Sequence, residues 1–216
     1  VSNCDTEIDA GNNEVLDPNS FSLTQRDCVT PAPKRKFIQN IYYVRDHLIT
    51  PGDGIPTLMR SEFGLAGGIP GQMEAVPLVE GIERFRVELG IDDTSKTAEG
   101  VNYGAAILWA DPSNLSTARN RGDGIPDGAF IYCDGSAAPP CTPAQLTDIV
   151  ALRLYLLARA DQSSPGYADT KTYTLGNAGA VGPFNDDFKR HLFSTTVRLN
   201  NVAGRRDTPP LEVVAP

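Results

Sequence analysis

Positive charge is in short supply in this sequence. Its 19 Lys and Arg face 27 Asp and Glu, for a net charge of −8, so electrostatic attraction to nucleic acid or to an anionic membrane is not expected. Histidine is scarcer still, with only His47 and His191 to help bind a metal. No stretch approaches the roughly 18 apolar residues that a membrane-spanning helix needs. No segment reads as a signal peptide, and the chain begins at Val1 rather than Met. Missing too are a Cys-x-x-Cys pair, a Gly-x-Ser-x-Gly elbow and a glycine-rich loop ending in Gly-Lys-Ser/Thr. These absences remove the sequence-local marks of zinc ribbons, thioredoxin-like redox sites, α/β-hydrolases and phosphate-binding loops.

What the chain has in excess is turn chemistry. Glycine (20) and proline (17) make about 17% of its 216 residues, against roughly 12% in average proteins, which speaks for short strands and many turns rather than a helical bundle. Its four cysteines, Cys4, Cys28, Cys133 and Cys141, lie in Gly/Pro/Asp-rich sequence where a thiol finds little core to join. Two disulfides in an oxidising, extracytoplasmic compartment are therefore expected. Of the three possible pairings, the sequential one, Cys4–Cys28 and Cys133–Cys141, closes the shortest loops.

Residues 1–36 are polar and irregular. From Phe37 the text becomes β-branched and aromatic, and Phe37–Val44 reads as a strand. Thr57–Arg60 reads as a second short strand, and the glycine-rich 64–71 as a loop. In 83–91, Phe85, Val87, Leu89 and Ile91 alternate with Arg84, Arg86 and Glu88, the period of a strand with one wet face. Gly81 allows a tight turn out of Leu78-Val79-Glu80. Tyr103–Trp109, Ala129–Tyr132, Val150–Leu157, Lys171–Leu175 and His191–Leu199 complete an expected six to eight strands in one mainly antiparallel unit. One pentapeptide occurs twice, Gly52-Asp53-Gly54-Ile55-Pro56 and Gly122-Asp123-Gly124-Ile125-Pro126, which is too little for a repeat architecture.

Candidate chemistry is sparse. Asp92-Asp93 and Asp186-Asp187, with Glu80 and Glu83, could supply the facing carboxylates of a glycosidase, but such pairs in turns are expected to be solvated. Asp123 and Asp127 are the candidate metal ligands, on an Asp-Gly loop of the kind that wraps calcium. Arg121 and Arg119 stand at the preceding alternate positions, where anions would be required, so a plain turn is expected and no metal. Arg121-Gly122-Asp123 also spells a tripeptide that some adhesion receptors read. The basic clusters Lys34-Arg35-Lys36, Lys189-Arg190 and Arg205-Arg206 lack interleaved aromatics and read as solvated faces.

Taken in order, several segments resemble a known family. They are Tyr42-Tyr43-Val44 followed by Ile55–Arg60; Leu78–Glu83 running into Phe85–Ile91; Asp148–Arg159; Tyr173-Thr174-Leu175; and Lys189–Asn201. Together they resemble the periplasmic part of PilW, a minor pilin of type IV pili related to the J-type minor pseudopilins of type II secretion. The resemblance covers roughly residues 37–206, and its motifs are structural rather than catalytic.

That resemblance implies an α+β pilin-like fold whose soluble part is mainly antiparallel β. Nothing in residues 1–36 resembles the long apolar N-terminal helix of pilins, so that helix is expected to be absent or truncated in this chain. The expected layout is an irregular segment 1–36 clipped by a disulfide, a β-rich periplasmic domain 37–206, and a loose tail 207–216. The implied role is that of a structural subunit without enzyme activity or cofactor, joining other minor pilins in a tip complex that primes filament assembly. Implied partners are PilV-, PilX- and FimU-like minor pilins, a PilY-type tip adhesin and the major pilin. The isolated domain is expected to be a monomer, anchored at the inner membrane in the cell and later carried in the pilus. The alternatives are a minor pseudopilin of type II secretion and a free extracellular β module that binds carbohydrate or calcium.

Overall fold

A computed structural model describes residues 29–31, 33, 38–102, 105–133 and 141–200. Eleven strands occur among them: β1 (Asn40–Arg45), β2 (Thr57–Ala66), β3 (Ile69–Gln72), β4 (Val76–Glu80), β5 (Ile82–Ile91), β6 (Trp109–Asp111), β7 (Asn114–Ala118), β8 (Ile149–Arg159), β9 (Tyr173–Thr174), β10 (Ala180–Val181) and β11 (Arg190–Arg198). The one named helix, α1 (Pro143–Thr147), lies between β7 and β8. It starts on a capping box, in which the Thr142 hydroxyl accepts from Gln145 N–H and the Gln145 side chain accepts from Thr142 N–H.

Two compact units divide the described chain, one taking in residues up to Ile41 and Arg60–Val76, the other Tyr42–Met59 and the chain from Pro77 onward. Strand order in the first sheet is β1-β2-β3, with β4 also pairing β2. Within the first unit the glycine-rich 64–71 is a hairpin, not the expected loop. Gly64 faces Gly71 and Ala66 faces Ile69, and only Gly67 and Gly68 turn, both at positive φ (60° and 88°). Two consecutive positive φ values are what a two-residue turn needs to match the twist of its strands, and glycine reaches them without strain. The glycines that read as a loop are thus a turn flanked by strand, which lengthens the expected Thr57–Arg60 strand to ten residues.

The second unit is built on the antiparallel sheet β11-β8-β5. β8 is central, pairing His191–Arg198 on one side and Ile82–Ile91 on the other. Both alternating stretches, Phe85–Ile91 and Val150–Leu157, are strands, and the leucine-rich β8 is one despite leucine's helical propensity. Its two neighbours supply backbone partners along its length, and tertiary pairing outweighs a propensity of a few tenths of a kcal/mol. The face of β5 expected to be wet is the covered one, with Glu88 buried on Arg86 and on Asn177 N–H while Phe85, Val87 and Leu89 are only half-buried. Leu157, Tyr173 and Leu175 form a buried cluster, with Tyr155, Val181, Phe184 and Leu192 packed around it.

Four expected elements are corrected. β1 begins at Asn40, and Phe37 lies outside the described residues. The strand expected over Tyr103–Trp109 starts only at Trp109; before it, the Asn120 side chain bonds Leu108 N–H and Ala106 C=O and takes the place of a partner strand. Ala129–Tyr132 reduces to a two-way bridge between Ile131 and Leu89. The expected six to eight strands become eleven because hairpins such as β6–β7 hide in Asn/Asp/Ser-rich sequence.

Gly81 joins β4 to β5 at φ 77°, and a Cβ there would lie 2.7 Å from the Arg159 carbonyl oxygen. The left-handed conformation alone costs an alanine about 1–3 kcal/mol. Gly81→Ala is expected to destabilise the domain by at least that much in urea titrations. A loss well under about 1 kcal/mol would mean that the start of β5 can relax away from β8.

Candidate functional site

The densest polar constellation is centred on Arg190, the first residue of β11. Its side chain is 1% exposed, and all five of its N–H donors are used. Nε and Nη2 bond the two oxygens of Glu83 (2.6 and 3.0 Å). Nη1 and Nη2 bond the two oxygens of Asp186 (2.6 and 2.7 Å), and Nη1 also reaches Asp169 (3.0 Å). The guanidinium carbon lies 3.8 Å from the centre of the Phe184 ring. Asp169 is fully buried and accepts from the hydroxyls of Tyr167 (3.2 Å) and Tyr173 (3.0 Å). Arg159 adds a second cation 3.4 Å from Glu83.

A β-bulge makes this possible. The register of β5 against β8 shifts between Ile82 and Arg84, so Glu83 is the extra residue, and a bulge re-aims such a side chain. Asp169 and Asp186 are tied to each other through the backbone, Asp169 N–H donating to Asp186 C=O (2.8 Å).

Burial opposes ionisation of Asp169, but the Arg190 bond and then the two tyrosine hydroxyls outweigh it and hold its pKa below the ordinary value. The Arg190 bond is the main cause that lowers Asp186. Burial, followed by the bond to Asp169, pushes the Tyr173 phenol up to about 12. With every donor of Arg190 taken and Asp169 and Asp186 held in their charged form, the cluster ties β5, the chain before β11 and β11 itself to one point. The cluster is a structural clamp.

Other candidate residues are also placed. Asp123 Oδ1 accepts from Ile125 N–H (2.9 Å), as Asp53 Oδ1 does from Ile55 N–H (2.9 Å), so the repeated pentapeptide is the same turn made twice. The first copy and the residue that follows the second each pin one end of β5: Pro56 C=O accepts from Gly81 N–H (2.7 Å) and Asp127 N–H donates to Ile91 C=O (2.8 Å). Backbone N–H groups of Leu48, Ile49, Thr50 and Ile55 surround Asp53 and depress its pKa. Asp127 accepts from Thr94 N–H at 2.7 Å. Among the described residues no three His, Cys, Asp or Glu side chains gather as a metal site would require.

In Arg121-Gly122-Asp123 the arginine bonds the carbonyls of Asn102, Asn120 and Ala105; the tripeptide is folded inward, not displayed. His47 bonds Asp46 (2.6 Å), and the His191 ring lies 4.4 Å from that of Phe193; among the described residues neither reaches a hydroxyl or thiol. Cys133 and Cys141 form a disulfide with Cα atoms 5.6 Å apart, a closure of about 2.6 kcal/mol in the chain-entropy account. Cys4 and Cys28, like Lys34–Lys36 and Arg205–Arg206, lie outside the described residues.

Two sequence expectations are overturned here. Asp92 is fully buried rather than solvated, accepting from Gly124 N–H at 2.8 Å, and Asp186 and Glu83 are absorbed by Arg190. Arg190 itself belongs to no solvated face. Adjacent charges in sequence say nothing of partners more than a hundred residues away, and Glu83 is such a partner.

The remaining feature is apolar. One face of the β11-β8-β5 sheet carries Tyr155 and Leu157 and is covered by the cluster around Tyr173. By strand alternation, the other face carries Phe85, Val87 and Leu89 of β5, Leu152, Leu154 and Leu156 of β8, and Phe193 and Val197 of β11, aligned in register. None of these eight is buried, and Phe193 is 53% exposed. Six of the eight are half-buried, and the patch is exposed at its β11 end through Phe193 and Val197.

A family model described as Type IV Pilus-assembly protein W matches residues 41–201. No curated protein and no solved structure matches the chain.

Arg190→Ala is expected to cost about 3–5 kcal/mol, since it strands buried carboxylates, as read from urea midpoints at pH 7. Stability should also follow pH. Asp169 and Asp186 bind protons more weakly in the folded than in the unfolded chain, so their contribution is complete above about pH 5. It is lost as pH falls below the ordinary 3.8 towards their folded values. Tyr173 contributes below its ordinary 10.0, and that part is lost as pH rises towards about 12. Flat urea midpoints from pH 6 down to pH 2 would contradict the clamp.

Proposed function

The chain belongs to the family of type IV pilus-assembly protein W, and we propose that it acts there as a structural minor pilin without enzyme activity. In this reading residues 37–206 are its periplasmic domain, and it joins other minor pilins in a tip complex that primes the filament. PilV-, PilX- and FimU-like subunits, a PilY-type tip adhesin and the major pilin are the expected partners. The fold is then the β part of an α+β pilin, held outside the cytoplasm.

The observation that carries this reading, beside the family itself, is the apolar face of β5, β8 and β11, exposed at Phe193 and Val197. A pilin-type apolar helix laid across it would bury Phe85, Leu154 and Phe193 together, and each fully buried side chain of this kind contributes about 1.5–3 kcal/mol. The Arg190 clamp supports the same view. It commits Glu83, Asp169, Asp186 and Arg190 to fixing the sheet.

Deleting the gene is expected to abolish or sharply reduce surface pili, counted by electron microscopy. Phe193→Asp should fail to restore them, because an unpaired carboxylate buried in an apolar contact costs several kcal/mol. The purified Phe193→Asp domain should melt close to the parent, since Phe193 is 53% exposed there. Normal pili with the variant, or in the deletion strain, would count against the reading.

A further inference from the structure

β11 ends the sheet, and its backbone shows which of its groups are free. Ala160 N–H donates to Lys189 C=O, and Leu199 N–H to Val150 C=O (both 2.8 Å). The register between them is unbroken, so odd-numbered residues from 189 to 199 form the hydrogen-bonded pairs with β8. The N–H and C=O groups of Leu192, Ser194, Thr196 and Arg198 therefore point away from the sheet. Among the described residues no backbone group meets them. The other edge of the sheet differs, being crossed at Leu89 by the bridge to Ile131.

Natural edge strands are usually blunted by proline, bulges or inward-pointing charges. From His191 to Val197 this one has none of these, reading His-Leu-Phe-Ser-Thr-Thr-Val with Phe193 and Val197 exposed. Beside its last residues lies a cavity of about 440 Å³ lined by Ile125, Pro126, Phe130, Ala151, Thr196 and Arg198. An open edge with a side-chain pocket is the arrangement that receives an added strand.

Charge decides what that strand is. In a protein of net charge −8, the stretch Lys189–Arg198 contains two arginines, a lysine and a histidine and no acid. Arg190 is spent on the clamp, which leaves Lys189 and Arg198 as the exposed cations of this edge, and edge-to-edge pairing with a second copy would bring a second such set alongside with no acid in either strand to meet it. We propose that the free edge of β11 takes an extended segment of a different pilus subunit, with an apolar side chain for the cavity and an acidic residue beside Arg198. The inference rests on the pilus reading for the kind of partner, and on the edge itself for the mode.

The test uses amide exchange by NMR on the isotope-labelled domain, alone and mixed with the soluble domain of each other minor pilin of the same organism. Alone, Phe193, Thr195 and Val197 N–H should exchange slowly, and Leu192, Ser194 and Thr196 N–H fast. With the right partner the latter three become protected. Ser194→Pro removes an outward N–H and keeps the β8 ladder; it should weaken binding about tenfold. Arg198→Glu, exposed and without effect on the ladder, should weaken it about fivefold.

Binding that leaves Leu192, Ser194 and Thr196 unprotected, or that neither variant weakens, overturns the edge proposal and leaves the pilus reading standing. Protection that rises with the domain's own concentration would assign the edge to a second copy and overturn the proposed partner. Binding by no minor pilin overturns it as well; whether the pilus reading falls too is decided separately by the pili of the deletion strain.

Discussion

Everything in the larger unit hangs on one buried guanidinium. Arg190 opens β11, Glu83 sits in the bulge of β5, and Asp169 and Asp186 belong to the connection between β8 and β11. A charge this deeply buried is tolerable only when each of its donors has an acceptor, and here each does. Satisfying it draws three separate stretches of chain to one point. The same residue thereby sets where β11 begins, how the 161–188 segment folds back, and why Tyr173 and Leu175 come to lie on Leu157. Its aromatic platform, Phe184, packs against the apolar cluster, so the polar and apolar halves of the interior meet on one ring.

Period-two alternation carried the sequence reading well. β5, β8 and β11 were all legible, because each keeps one apolar file for the open face and one mixed file for the covered face. Turns were read correctly in kind but not in length. Four glycines between 64 and 71 look like a loop, yet strand residues flank a two-glycine turn. The clamp was invisible for a physical reason: a bulge at residue 83 and a salt bridge to residue 190 depend on register, which no local pattern encodes. The only available signal was that Arg190 interrupts the apolar rhythm at the start of a strand. Asp92 was missed similarly, since its partners are backbone N–H groups at Asp123 and Gly124, whose side chains do not advertise the bond.

The repeated Gly-Asp-Gly-Ile-Pro has a meaning that its brevity concealed. Both copies fold into one kind of aspartate-anchored turn; the first holds β5 before Ile82, and the residue that follows the second holds it at Ile91. The Asp-Gly pairs that suggested calcium use their carboxylates on backbone N–H groups instead. With β5 fixed at both ends and β11 fixed at Arg190, the apolar face between them is held in one register from Phe85 to Leu89.

The central position of β8 also dictates an order of events during synthesis. β5 cannot form its ladder until β8 exists, because Ile82 waits for Ala158 and Leu89 for Leu152. As the chain emerges from its N-terminal end, Phe85 and Val87 remain unpaired while the whole 92–148 region is made, with only Leu89 finding a partner earlier, at Ile131. Contacts so distant along the chain form slowly, and an apolar strand left waiting is prone to wrong partners. The unit therefore has a late commitment point, reached when β8 arrives and completed by Arg190. Any factor that shields nascent β-strands should matter most in the interval between residue 91 and residue 149.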